Sequence, residues 1–169
     1  SVILQNKALL YETSRRLQEV NILLDFSRKL VGLNPDEIMN ALLESSRHVL
    51  QSAHAGVAFL WDRESEQLVP RSVSGYADNE SMMRINYHSG EALPGIAFEQ
   101  KKPRRVTDVN FARDYVLPAD DLLLYRQATG GRLPVSSILV PIIAGDQALG
   151  LLILDNFNTT GAFKVEDEA

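Results

Sequence analysis

Hydrophobic spacing divides the chain into an opening stretch with a period of seven and a longer stretch whose period changes repeatedly. Across residues 1–31, which contain neither Gly nor Pro, Ile3, Leu10, Leu17, Leu24 and Val31 recur every seven residues, flanked by Val2, Leu9, Leu23 and Leu30. A sustained heptad marks a seam between supercoiled helices. Its companion row, Asn6, Thr13, Val20 and Ser27, is mostly polar, so the seam would be weak or adjustable. The expectation is a connector helix forming a homodimer through residues 1–31; the alternative is a long helix packing on its own domain.

Gly32 stops that pattern, and Asn34-Pro35-Asp36-Glu37 starts another helix, with Asn as cap, Pro at the first helical position and Glu three residues after the cap. Ile38, Leu42 and Val49 share one face with Met39, Leu43 and Leu50 beside them, so this helix lies on a core. The period then shortens. Residues 56–61 predict a buried strand, 62–67 a polar turn, 68–75 an alternating strand and 83–88 another. Residues 93–100 predict a short helix ended at Lys101-Lys102-Pro103, and Arg104-Arg105-Val106 at most a short strand. Between 108 and 134 no continuous pattern runs, although 118–129 can form a helix closed by Gly130-Gly131. Residues 135–143 and 147–154 form a hairpin about Gly145-Asp146, a pair suited to a type II′ turn. The fold class expected is α+β: a central, largely antiparallel sheet of five to six strands with helices on its faces, preceded by a long N-terminal helix. The domain division is 1–33 as connector and 34–169 as the globular unit, with an exit helix that begins near Lys164 and is cut.

Composition narrows the chemistry. The 169 residues contain no cysteine, which excludes disulfides, thiolate metal sites and cysteine nucleophiles. Seventeen Lys plus Arg against 22 Asp plus Glu gives a net charge of −5, which argues against nucleic acid or an anionic membrane as partner. Gly90-Glu91-Ala92-Leu93-Pro94-Gly95 has the glycine spacing of a phosphate loop, but Ile96-Ala97 stand where Lys and Ser or Thr are required. His48, His54 and His88 fall on different elements without an acidic partner at ligand spacing, so no metal is expected. Lys101, Lys102, Arg104 and Arg105 form a basic cluster that reads as a solvated turn, with contact to an anionic ligand as the alternative. Asp120-Asp121 and Glu166-Asp167-Glu168 open helices, where negative charge meets the positive end of the helix dipole. No catalytic constellation is visible.

The order of elements resembles a GAF domain, a small-molecule sensory module of signalling proteins. Residues 55–61 look like its first strand, and Gly95-Ile96-Ala97 through Pro103, Val106 and Asp108 like its central helix and following strand. Ser137-Ile138-Leu139-Val140-Pro141-Ile142 and Leu149-Gly150-Leu151-Leu152-Ile153-Leu154 look like its closing hairpin. The resemblance covers roughly residues 34–169. Phe163 followed by Asp167-Glu168 is similar to half of the signature of cyclic-nucleotide-binding members, and Asn156 fits its asparagine, but Phe157 replaces its lysine. The resemblance also implies that sulfoxide reductases and covalent bilin photoreceptors of this fold need cysteines, and that haem-binding members use a histidine absent between 108 and 134. Cofactor expectations are therefore no haem and no covalent bilin, with cyclic nucleotide as a weakly supported candidate.

What the resemblance implies for function is a non-enzymatic, cytoplasmic regulatory domain of a two-component or related signalling protein. It would pass ligand state through its terminal helices in a dimer to an output domain after Ala169, such as a histidine kinase. The alternative is a ligand-free dimerisation module. Ligands of this family lie on one sheet face under the connecting segments, so strand alternation and lid position nominate Phe59, Ser72, Ser74, Phe98, Tyr115, Leu122, Tyr125 and Ser137. Arg105 or Arg126 would meet an anionic group.

Overall fold

A computed structural model describes residues 34–168, and the heptad stretch expected to dimerise lies outside the described residues. The first helix, α1 (Pro35–Val49), starts where its cap residues require: the Asn34 side chain accepts from the Asp36 backbone N–H at 3.0 Å, Pro35 occupies the first turn, and Asp36 and Glu37 face the positive helix end. Its apolar stripe buries Met39 and Leu43.

Six strands follow: β1 (Ala55–Asp62), β2 (Gln67–Ser74), β3 (Tyr87–His88), β4 (Arg104–Val106), β5 (Ser136–Ala144) and β6 (Gln147–Asn156). They form one sheet in the order β3-β2-β1-β6-β5-β4, and every adjacent pair is antiparallel. This is the α+β arrangement the sequence predicts. The β5–β6 hairpin turns at Gly145 with φ 61°, whereas Asp146 has no positive φ, as a type II′ turn demands. At Gly150 a Cβ would sit 2.1 Å from the Phe59 carbonyl oxygen, so the central β1–β6 pairing requires glycine there.

Four helices cover the other face: α2 (Asn79–Met82), α3 (Ala92–Gln100), α4 (Phe111–Asp114) and α5 (Ala119–Thr129). The helix expected over 118–129 is α5, closed by Gly130 at φ 64°. The strand expected over 83–88 shrinks to β3. Upstream, Asp78 accepts from the Ser81 N–H at 3.1 Å and winds α2 instead, and the buried Met82 and Ile85 follow a spacing of three rather than two. A short 3₁₀ turn, Val165–Glu168, stands where an exit helix was expected.

The sheet separates two cores. On one face Ala58, Ile138, Ile142, Leu152 and Leu154 pack against Met39 and Leu43 of α1 and against Phe163. On the other, Val57, Phe59, Leu68, Leu139, Leu151 and Ile153 lie under the α2–α5 lid with Tyr76, Tyr87, Phe98, Tyr115 and Tyr125. A bulge decides which β2 residues reach which core. Ala58 pairs with Ser72 but Phe59 pairs with Pro70, leaving Arg71 as the extra residue. Leu68 therefore faces the lid, whereas Ser72 faces α1.

Candidate ligand site

Under the lid, Ser137 and Asp155 stand opposite one another on β5 and β6, so both side chains emerge on the same face. The Ser137 hydroxyl donates to Asp155 Oδ1 at 2.5 Å, and the Tyr76 hydroxyl donates to Oδ2 at 2.5 Å. Asp155 is 1% exposed. Burial, partly offset by the Ser137 and Tyr76 hydrogen bonds, leaves its carboxyl pushed up to about 6. No cation pairs with it among the described residues. Burial also raises the phenols of Tyr76, Tyr87, Tyr115 and Tyr125, and the Asp155 charge adds to each rise, so all four stay protonated near neutrality.

Outside this polar core lies a groove of about 520 Å³ between the α4 segment and α5, lined by Phe111, Tyr115, Leu117, Leu122, Arg126 and Leu133 among others. Such a volume suits a small organic ligand. Its aromatic wall is continuous: Phe111 stacks on Tyr115 at 5.2 Å, and Tyr125 lies 5.0 Å from Tyr115 and 5.2 Å from Phe111. The Arg126 guanidinium sits over Phe111 at 5.6 Å. Asp114 fixes the α4 turn. It accepts from the Asn110 N–H and takes a two-point contact from Arg113 at 2.9 and 3.1 Å.

Seven of the ten nominated residues come together on this side of the sheet. Leu122 and Arg126, one turn apart on α5, line the groove with Tyr115; Tyr125 stands behind them, and Ser137 holds Asp155. Phe59 packs edge-on to Tyr87 at 5.6 Å, and Phe98 stacks on Trp61 at 4.5 Å, both within the core beneath the groove.

The expectation of one shared face is corrected for Ser72, Ser74 and Arg105. Ser72 donates to Asn40 Oδ1 at 2.9 Å, and Ser74 accepts from the Arg47 guanidinium, so both face α1. The Arg71 bulge is the cause, because it reverses the alternation that placed them with Leu68. Arg105 pairs with Ile138, whose side chain is in the α1 core, so it too emerges there. Its neighbour Arg104 is on the lid side and near enough to Asp114 to favour that carboxylate.

Sequence reasoning missed Asp155, Tyr76, Tyr87 and Phe111. A signal for Asp155 existed: it continues the Leu151, Ile153 alternation, placing a carboxylate in register with a buried row. Phe157, at the position of the missing lysine, stacks with His54 at 6.1 Å and meets Tyr76 edge-on at 5.9 Å. Asp167 accepts from the Lys164 N–H at 2.7 Å. Among the described residues no His, Asp and Glu cluster could hold a metal ion, and no helix is long and apolar enough to cross a membrane.

An antiparallel sheet ordered 3-2-1-6-5-4, with one helix behind it and in front a helical lid that carries a groove, defines a class of small α+β domains. The model of the GAF domain family matches residues 32–169, and the chain belongs to that family, whose members are regulatory and ligand-binding modules. No curated protein matches it. Among solved structures, it is similar to the GAF domain of a phosphoenolpyruvate-protein phosphotransferase from Coxiella burnetii, at a TM-score of 0.65 and 18% identity, covering 90% of this chain and 83% of that one. A free methionine-R-sulfoxide reductase from Neisseria meningitidis, in complex with its substrate, gives 0.62 and 16%, covering 90% and 77%. A Staphylococcus aureus NreA protein mutated in its nitrate binding site gives 0.57 and 17%, covering 77% and 91%. At these identities the likeness is one of fold.

Proposed function

We propose that this domain is a regulatory small-molecule sensor whose ligand enters the groove between α4 and α5. The observation that carries the reading is the buried Asp155 core behind that groove, a polar centre set within an otherwise apolar face. Packing alone has no need of a carboxylate there, since a desolvated charge costs stability. The NreA and reductase neighbours, with a nitrate site and a bound substrate, favour small-molecule recognition on this fold. Thiol-based reduction has no residue to perform it in a chain without cysteine.

Asp155 is followed directly by Asn156, which donates to the Ser52 carbonyl and accepts from the N–H groups of Asn158 and Thr159. The carboxylate behind the groove therefore adjoins the segment leading to the C-terminal 3₁₀ turn. A ligand preferring one lid state would bias that segment, and through a homodimer of residues 1–31 it would bias a cytoplasmic output domain of the full-length protein. A complete switch requires about 5.5 kcal/mol of differential affinity. Arg126, at the groove mouth, is the residue placed to meet an anionic portion such as that of a cyclic nucleotide.

A ligand-free structural module is the second reading, favoured by the closed packing of Tyr87, Tyr115 and Tyr125, each 2% exposed. Native mass spectrometry and thermal shift against nucleotides, amino acids, amines and organic acids separate the two. The sensor reading expects at least one retained and stabilising compound, and its loss in Tyr115→Ala. No retained compound and no shift across the panel would favour the structural module.

A further inference from the structure

The chemistry around Asp155 is one-sided. A carboxylate offers about four lone-pair positions, and here Tyr76 and Ser137 each donate one neutral hydroxyl hydrogen to it. Beyond Tyr76, three more tyrosines, Tyr87, Tyr115 and Tyr125, lie near enough to feel the same charge. Their rings present negative π faces, which attract cations. The aromatic tier of the groove already carries one cation, Arg126 over Phe111. Tyr115 belongs to both places: it lines the groove, and it feels the Asp155 charge. Tyr115 is thus the residue shared by the groove and the surroundings of the carboxylate. An anion entering as far as Asp155 would meet that charge, and the cation of the groove, Arg126, already sits over the Phe111 ring.

We propose that the groove and the polar core, joined through Tyr115, form a single site for a small organic ammonium ion, with Asp155 as its counter-ion and Phe111, Tyr115 and Tyr125 as its aromatic wall. This rests on the sensor reading and deepens it by naming the ligand class. A primary ammonium would hydrogen-bond Asp155 and the phenol oxygens. A quaternary one would rely on the rings and the charge.

The test is calorimetric titration of the full chain with choline and with its uncharged carbon isostere, 3,3-dimethylbutan-1-ol, in wild type and Asp155→Asn. Choline is expected to bind at least roughly tenfold more tightly than the isostere, and Asp155→Asn to remove most of that difference. Choline keeps its charge at every pH, so wild-type affinity should fall between about pH 7.5 and about pH 5 as Asp155 takes up a proton. The groups facing Asp155 are Tyr76 from the β2–α2 loop, Tyr87 from β3, Tyr115 after α4, Tyr125 of α5 and Ser137 of β5, none of which titrates in that range. Repeating both pH values in Asp155→Asn isolates the part of the change that belongs to Asp155 itself. A thermal melt establishes that the variant folds. If it does not, the wild-type ratio of choline to isostere and its pH dependence decide. Equal affinity for choline and isostere, unchanged choline binding in Asp155→Asn, or no binding at millimolar choline would each overturn the proposal. A nucleotide or organic acid whose binding is lost in Tyr115→Ala but unchanged in Asp155→Asn would overturn it while leaving the sensor reading standing.

Discussion

The two faces of the sheet are built from the same strands yet solve different problems. Towards α1, Leu43, Met39, Leu154, Ile138 and Phe163 interlock as plain hydrocarbon, and the polar groups at its margin are bonded locally, Ser72 to Asn40 and Ser74 to Arg47. Towards the lid, tyrosines and phenylalanines join the aliphatics, and a carboxylate sits among them. The first face draws its stability mainly from apolar packing, with Arg47 Nε as a buried atom left without a partner. The second spends some of it on a buried charge, held by the Ser137 and Tyr76 hydroxyls under a lid that includes two helices of only four residues, α2 and α4. One face acts as scaffold, and the other is organised for recognition.

The largest effect that tests this division belongs to the scaffold. Phe163→Ala should cost about 3–5 kcal/mol of stability by urea denaturation, since it opens a cavity in the α1 core, yet it should leave ligand affinity of the folded fraction intact. A change in affinity larger than threefold or so would break the separation.

Next comes Asp155. Its folded carboxyl titrates near 6 against 3.8 as a free side chain, so the folded state holds the proton more tightly. Its contribution is full below about pH 4 and is lost as pH rises through 6, on the order of 3 kcal/mol in all. Asp62 and Asp78, held below the usual range mainly by hydrogen bonds from Ser65 and Ser81, act with the opposite sign. The difference in stability between wild type and Asp155→Asn across about pH 4 to 7 isolates the buried group. A flat difference would show that Asp155 carries no such cost.

Smaller still is the serine pair. Ser72→Ala should cost about 1 kcal/mol and leave the pH profile unchanged. Ser137→Ala, which removes a donor that lowers the Asp155 carboxyl, should move the wild-type loss of stability to higher pH. Identical profiles for the two would contradict their assignment to different faces. Arg126→Ala should be the mildest, about 0.5–1 kcal/mol from the exposed contact with Phe111, with its main effect on ligand affinity.

Legibility followed locality. The β5–β6 hairpin, α1 behind its Asn34-Pro35 start and α5 before Gly130 all depend on residues within a few positions of one another, and each was readable from the pattern. The Arg71 bulge was not. It reflects how β2 fits β1; Pro70, a residue that strands carry at edges and bulges, marks the place without fixing the register, so Ser72 and Ser74 were assigned to the wrong face. Arg105 failed for a related reason, since three residues of strand give too little alternation to choose between Arg104 and Arg105. Half of the site was visible as aromatic and serine positions. Its centre, Asp155, continues the Leu151, Ile153 alternation, but an aspartate after an apolar run also reads as the strand's polar end, and the pairing with Ser137 decides that it is inside.

Hydrogen exchange of the full chain, with and without saturating amounts of the compound that most raises the melting temperature, tests the division of labour most directly. The account predicts slowed exchange in residues 108–135 and around 153–157, with residues 39–47 of α1 changed far less. Protection confined to α1, with the lid segment unaffected, would contradict it.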